Sequence, residues 1–561
     1  MVKARRVIDL VRNRWQFLLG LVLSLSLLWP VYKQGYFSHH DDVQVVRIYE
    51  MHQCFIDHQF PCRWVPHLGL GYGQPLFNYY APLPYYVGEV AYLLSRNFIF
   101  AAKTLFFISF VGSYLTMYLL GKKLWGESGG VFSAVLYVTA PYHAANLFVR
   151  GAMGELWGML FIPLIFYFLF CLSEKQNKEN IFGLGISLTL LIMSHNLSML
   201  MITPFLGLVI LYLSLKKKNL KFLRALFFSG LVAIGLSAFY FFPALLEKRF
   251  VHIDSMTVGY FSYTEHFKGF TKMLGNSWDW RPSIREFPGS EIDASWYNIG
   301  WVHLVVLVVA FAMAYLSRKH GFGIVMMCIS LVLVASFLVH PRSIFIWQTF
   351  EPLMKYIQFP WRFLMVVIFF LSMAGGYLFS FKIKYQKWVW TTLVIIFLVF
   401  NFRFFVPEKF IGVTQNDYLT GGWWDAQIRR SIFDYTPIYA KLPPPGPAPD
   451  EPEILDGKVK ILNYEKGSDW QKGSFEVTSL ATLRLPLYDF PGMKVYLDGN
   501  EISHVNNDCR NETYCMGLVT FQVPTGTHTM VTKLYNTPIR WLGNVLSILT
   551  LTIVLLVLRR K

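Results

Sequence analysis

The run His39-His40-Asp41-Asp42 follows closely on an apolar block that ends near Val31. Four ionisable residues beside such a block are costly unless they are solvated or used. A carboxylate there can take a proton from an attacking hydroxyl, and an imidazole can act as acid, base or ligand. A helix through the cluster would put His40, Gln44 and Arg47 on one face. It would also turn Asp41 and Asp42 about 100° apart. The two acids would then act separately, one as a base and the other as a metal ligand or orienting group. A plainer use stays open: either aspartate can cap a helix that begins near Val43.

Four arginines, Arg47, Arg150, Arg342 and Arg362, stand next to apolar blocks. A guanidinium stays charged and offers a planar fork of donors, which suits a phosphate group. Each can equally anchor a lipid headgroup from the end of a span. Glu155 is close in sequence to Arg150, so the two can form an ion pair that braces a turn. His195 and Asn196 fall in a tight turn between two apolar blocks, where a catalytic His and a turn-stabilising Asn beside a solvated His are both open. The glycines of Gly69-Leu70-Gly71-Tyr72-Gly73 permit tight turns. They do not make a nucleotide loop, because no strand precedes them and no Lys-Ser/Thr follows.

The elements that must hold these residues are membrane spans. The 561-residue chain has mean hydropathy +0.40 and only 15% charged residues, against about 25% in soluble proteins. Its apolar residues come in blocks of about 20, the length that crosses a bilayer core. Twelve spans are expected: 15–34, 98–120, 129–148, 153–172, 180–194, 197–215, 222–243, 297–316, 321–339, 361–380, 388–406 and 538–558. With the N-terminus in the cytoplasm, every inside loop is basic: Lys122 and Lys123; Lys175 and Lys178; Lys216 to Lys218 and Lys221; Arg318 and Lys319; Lys382, Lys384 and Lys387; Arg559 to Lys561. That is positive-inside topology. It accounts for the net charge of +17 without a nucleic-acid partner. The basic segment Met1–Arg14 reads as the lead into a retained first span. The Tyr- and Pro-rich stretch Phe77–Leu94 reads as interfacial or re-entrant, since a crossing there would turn every later basic loop outward.

Cys54 and Cys62, and Cys509 and Cys515, are close enough in sequence for two local disulfides in an oxidising compartment. No CxxC pair suggests a structural zinc. The chain divides into a multi-span domain over 1–406 with an outer loop at 33–97, a connector over 407–457, a β domain over 458–537, and a final span with a basic tail over 538–561. The connector includes the Pro-rich stretch Lys441–Glu453, which predicts an extended linker. Alternating strand runs separated by Asp498-Gly499 and Thr525-Gly526 turns predict a small antiparallel β-sandwich, which the linker and the last span tether outside the membrane.

Several runs together are similar to one family: HDDVQVVRIYEM, QFPCRWVPHLGLGYGQPLFNYYAPLPYY, Arg150-Gly151-Ala152 with Glu155, Ser194-His195-Asn196, Gln358-Phe359-Pro360-Trp361-Arg362, Tyr488-Asp489-Phe490-Pro491-Gly492 and Pro524-Thr525-Gly526-Thr527-His528. The sequence resembles the bacterial membrane proteins named for a relationship to 6-pyruvoyl-tetrahydropterin synthase. Their wider kin are YfhO-like proteins and the GT-C glycosyltransferases. The name implies no pterin chemistry. Met493 stands where the resemblance leads one to expect an aromatic. The resemblance implies a GT-C-like polytopic fold in the cytoplasmic membrane, both termini inside, with the active site outside. It implies transfer of a sugar from a polyprenyl-phosphate donor to an envelope glycan or glycolipid. Asp41 is then the first choice of base, with Asp42 and His40 beside it. Arg47, Asn78, Tyr79, Tyr80, Arg150, Glu155, His195, Asn196 and Arg362 are the expected substrate-binding residues. A divalent cation, Mg or Mn, is the candidate cofactor and Asp42 its candidate ligand. Two other readings stay open on the sequence: a lipid or glycolipid transporter, and a non-catalytic scaffold for envelope assembly.

Overall fold

A computed structural model describes residues 15–283, 294–318, 321–381, 384–429, 433–510 and 514–559. The N-terminal segment to Arg14 and the basic residues Lys319, Lys382, Arg560 and Lys561 lie outside the described residues. Among the described residues, nine helices are long and apolar enough to cross a membrane. They are α1 (Trp15–Tyr32), α4 (Phe98–Thr139), α5 (Met153–Glu174), α7 (Asn196–Lys216), α8 (Leu220–Leu246), α10 (Phe322–Val339), α11 (Pro360–Phe379), α12 (Gln386–Phe404) and α13 (Pro538–Arg559). Between them lie α2 (Gln44–Ile56), α3 (Leu83–Ser95), α6 (Lys178–Ile192) and α9 (Trp301–Ser317).

By length alone the count is nine, against the twelve expected from the sequence. One reason is that α4 is a hairpin. Gly126 (φ 81°, ψ −176°) leaves helical geometry, and the chain folds back so that Gly121 lies against Gly130 and Ser133. The other reason is that α6 and α9 have only 15 and 17 residues, a rise of about 23–26 Å. The second leg of α4 ends at Thr139, short of the expected residue 148. Pro141 forces Ala140 into an extended conformation (φ −61°, ψ 139°), as the residue before a proline prefers.

Helix α11 is wholly buried at the centre of the bundle, whereas α13 at its edge is mostly exposed, as an apolar surface facing lipid would be. Helix α8 packs along α13 and α6, and α5 packs along α4. One end of the bundle gathers the basic turns: Lys123 pairs with Glu174, Lys178 reaches the Val557 carbonyl at 3.4 Å, and Ser128 bonds Gln16 at 2.7 Å. The starts of α2 and α4 and residues 141–155 occupy the opposite end. Phe77–Leu94 is split among the short turn Leu76–Tyr79, the extended Tyr80 and α3, none long enough to cross.

The C-terminal domain is one antiparallel network of β3 (Glu453–Lys466), β4 (Trp470–Tyr488), β5 (Met493–Leu497), β6 (Asn500–Ile502), β7 (Leu518–Val523) and β8 (Gly526–Leu534), in the order β3-β4-β8-β5-β6 with β7 on β4. A two-stranded pair, β1 (Tyr36–Phe37) with β2 (Phe410–Ile411), lies in the membrane-proximal part of the chain. The strand β4 is unusually long, at 19 residues. Its first part pairs with β8 and its second with β7, so one strand serves both halves of the core around Phe475, Leu483, Leu485, Val495 and Phe521. Asp498 and Gly499, both with positive φ, make the tight β5–β6 turn.

The domain sits on the first outer loop. Ser468 accepts from Gln59 at 3.1 Å, and the Tyr488 amide donates to Tyr72 at 3.1 Å. The Pro-rich stretch is docked: the Ala448 amide donates to the Leu70 carbonyl at 2.8 Å. Cys54 is joined to Cys62 and Cys509 to Cys515.

Candidate functional site

Pro141 starts a four-residue helical turn that passes into a π-helical turn over Ala145–Arg150. Such turns widen a helix and recur at functional sites. Here the turn delivers Asn146 and Arg150 toward the first turn of α5, where Glu155 lies. A carboxylate is well placed at a helix N-terminus. Glu155 is 1% exposed and accepts from Tyr142 Oη at 2.5 Å, Asn146 Nδ2 at 3.2 Å and Arg150 Nη1 at 2.7 Å. Arg362 Nε lies 3.8 Å away. Arg150 also bonds Asn146 and lies 4.5 Å over the Trp361 ring. Arg362 is held by the Ile357 carbonyl at 2.8 Å and Gln358 Oε1 at 2.9 Å, and its Nε makes no hydrogen bond among the described residues.

The 39–42 run lies alongside this cluster. The His40 and Asp41 amides donate to the Val149 and Arg150 carbonyls at 2.9 and 2.8 Å. Gly151 (φ 64°) leaves no space for a side chain against the His39 ring. The Asp41 carboxylate is exposed and within electrostatic reach of the Arg150 and Arg362 guanidiniums. His195 lies within the same reach of Glu155 and both arginines. Its Nδ1 is 2.7 Å from Ser198 Oγ and accepts from the Ser198 amide at 3.1 Å, which leaves the ring proton on Nε2. Lost hydration pulls its pKa down to about 3; Glu155 opposes this, while Arg362 and Arg150 add to it. His195 is therefore a neutral donor at ordinary pH.

Arg47 forms a second wall. It is buried on α2, donates to Tyr85 Oη at 3.2 Å and lies 4.0 Å over the Tyr80 ring. Tyr85 Oη in turn donates to Gln44 at 2.7 Å. Tyr435, from the connector, stands 6.3 Å from Tyr80 and within reach of both Arg47 and Arg362, so it links the two walls. Asn196 donates to Tyr240 Oη at 2.6 Å, and Tyr240 Oη to the Tyr79 carbonyl at 2.8 Å.

Other expected residues lie elsewhere. Asp42 is buried and takes a hydrogen bond from Tyr418 Oη. Among the described residues, no three His, Cys, Asp or Glu side chains converge. Helix α2 starts at Gln44 with Val43 as its cap, so neither aspartate caps it and His40 does not share its face. His40 is exposed and turned to the Trp280 carbonyl at 2.8 Å. Arg342 is exposed on its loop. Asn78 belongs to a separate buried network, bonding Glu247 at 3.1 Å and Arg63 at 3.2 Å. The Tyr79 hydroxyl donates to the Glu247 carbonyl at 2.8 Å.

The sequence reading missed Tyr142, Asn146, Tyr418 and Tyr435. The first two had a signal, since Tyr142, Asn146 and Arg150 repeat at four-residue spacing within an apolar stretch. The last two had none.

A family model described as "6-pyruvoyl-tetrahydropterin synthase related domain; membrane protein" matches residues 77–408. An uncharacterized protein of Lactococcus lactis subsp. cremoris (strain MG1363) is 23% identical over 332 residues. The match takes in 57% of this chain and 52% of that protein, so it spans about half the relative's length. Among solved structures, ArnT from Cupriavidus metallidurans bound to undecaprenyl phosphate aligns with a TM-score of 0.45 at 11% identity, over 68% of this chain and 63% of ArnT. The arabinofuranosyltransferase AftD from Mycobacteria aligns with a TM-score of 0.45 at 12% identity, over 74% of this chain and 28% of AftD.

Proposed function

The chain belongs to the family of membrane proteins described by the 6-pyruvoyl-tetrahydropterin synthase related domain, and from that premise we propose that it is a membrane glycosyltransferase using a lipid-phosphate sugar. The reading is carried by one observation: Arg150 and Arg362 converge on a single buried carboxylate, Glu155, and a third guanidinium, the buried Arg47, lies across Tyr435 from them. Among the described residues, Arg47 has only tyrosines as side-chain partners, and Arg362 Nε has no hydrogen bond. Such an excess of buried positive charge calls for an anion. A phosphate meets it well, because guanidinium forks match phosphate oxygens.

In this reading the arginines hold the donor phosphate and the acceptor hydroxyl attacks the anomeric carbon. The new C–O bond forms as the sugar–phosphate bond breaks. The bonding pair leaves on the phosphate oxygen, whose growing charge the guanidiniums stabilise. Asp41, the exposed acid beside them, takes the hydroxyl proton. Neutral His195 offers Nε2–H to an oxygen of the bound sugar or phosphate. The basic turns gather at the other end of the bundle, so the positive-inside rule assigns this end to the non-cytoplasmic side.

Purified protein given a panel of polyprenyl-phosphate sugars and a glycolipid acceptor tests the proposal. Asp41→Asn should lower transfer by about 100-fold or more with an unchanged unfolding temperature. Full transfer by a well-folded Asp41→Asn protein would remove Asp41 as the base. An Arg47→Gln protein that binds donor as tightly as the parent would remove the anion site.

A further inference from the structure

We infer that a second cavity, at the same end of the bundle but separate from the arginine cluster, holds the phosphate headgroup of an anionic membrane phospholipid. The cavity measures about 530 Å³ and lies where the start of α4 meets the connector, between Gln34, Asn97, Phe100 and Lys103 on one side and Thr414 and Gln415 on the other.

Lys103 is the group that suggests an anion. It stands five residues into α4, about 7–8 Å along the axis from Phe98, near the end of that span. Its ammonium bonds the Lys33 carbonyl, and among the described residues no carboxylate is paired with it. The neighbouring charges leave it available. The Lys33 amine stacks 3.9 Å over Phe410 and 5.1 Å over Trp29. The Asp417 carboxylate is engaged with Thr414, at 2.8 Å from both its amide and its hydroxyl. Around the ammonium, the cavity carries neutral hydrogen-bonding side chains and no acid.

A lipid fits better than a soluble anion because the surroundings are apolar and face outward. Phe100, in the cavity wall, and Tyr32, on the adjoining end of α1, are 57% and 62% exposed. Aromatic residues exposed at the end of a span mark the bilayer interface, and an acyl chain can lie along them. The occupant would rest on Thr414 and Gln415, one turn before Tyr418, the residue that holds Asp42.

The test is lipid binding and does not depend on the glycosyltransferase reading. Full-length protein in detergent is given equimolar phosphatidylglycerol and phosphatidylcholine with identical acyl chains, and the lipids retained per chain are counted by native mass spectrometry. The parent should retain phosphatidylglycerol in preference. Lys103→Gln should lower its retention about five-fold, the effect of one lysine near an anionic surface, and leave phosphatidylcholine unchanged. Lys103→Arg should keep it. Ile99→Trp, which fills the cavity and leaves the ammonium, should lower it too, and this variant decides the matter if Lys103→Gln folds poorly. Equal retention by the parent and the Lys103→Gln or Ile99→Trp proteins would overturn the inference. So would displacement of the lipid by millimolar inorganic phosphate, which would mark a site for a soluble anion.

Discussion

Asp434 is the residue with the clearest pH signature. It is buried beside Tyr435 and bonded to Ser255. Burial pushes its pKa from 3.8 to about 6, against the opposing hydrogen bond from Ser255. Between about pH 4 and 6 the folded state therefore binds more protons than the unfolded chain. Stability from this group falls as pH rises through that window and is level above it. The size is about 2–3 kcal/mol. Asp434→Asn should raise the unfolding temperature at pH 8, leave it nearly unchanged at pH 4, and so flatten the pH profile of thermal unfolding; an unaltered profile would contradict this. At this scale the sequence was partly legible. Asp41, Arg150, Glu155, His195 and Arg362 stand out as polar residues at the ends of apolar blocks, and the fold brings them within electrostatic reach of one another. Asp42 and Asp41 look alike in sequence. They are separated by a contact with Tyr418, 376 positions away, and no local pattern carries that information.

Among the elements, the hairpin in α4 depends most on a single residue. Gly126 has φ 81° and ψ −176°, a region in effect open only to glycine. A Cβ there would meet nothing within 4 Å, so a substitution acts through backbone strain alone. Gly126→Ala should cost about 1–3 kcal/mol, seen as a lower unfolding temperature with no loss of packed side chains. Span positions were legible because lipid-facing helices need long apolar runs. Their ends were less so where a proline or a π turn intervened, as at Pro141 and Ala145–Arg150. The length of β4 is harder to read, because Ala481 and Thr482 interrupt the alternation of apolar and polar residues. In the fold both sides of that stretch are covered, so alternation is lost exactly where burial is greatest.

For the molecule as a whole, a buried charge pair lies where the β domain meets the membrane bundle. Arg540, at the start of α13, has no exposed surface and donates to Glu247 at 2.9 Å. Its guanidinium lies 5.0 Å from the Phe490 ring of the β domain. Removing one partner strands the other in the interior, so Arg540→Leu should cost about 3–5 kcal/mol in thermal unfolding, and adding Glu247→Leu should recover much of it. This union was not legible: the Pro-rich stretch predicts an extended linker and carries no sign that it docks against the glycine loop. The pairing of β1 with β2, with Tyr418 on Asp42 and Tyr435 between the arginines, has a consequence for biosynthesis. During translation the ribosome must add some 370 further residues after β1 before its strand partner exists. A nascent chain stopped at residue 405 would carry most of its spans yet lack the pieces that close the pocket, so the protein stays incomplete until the late connector has emerged.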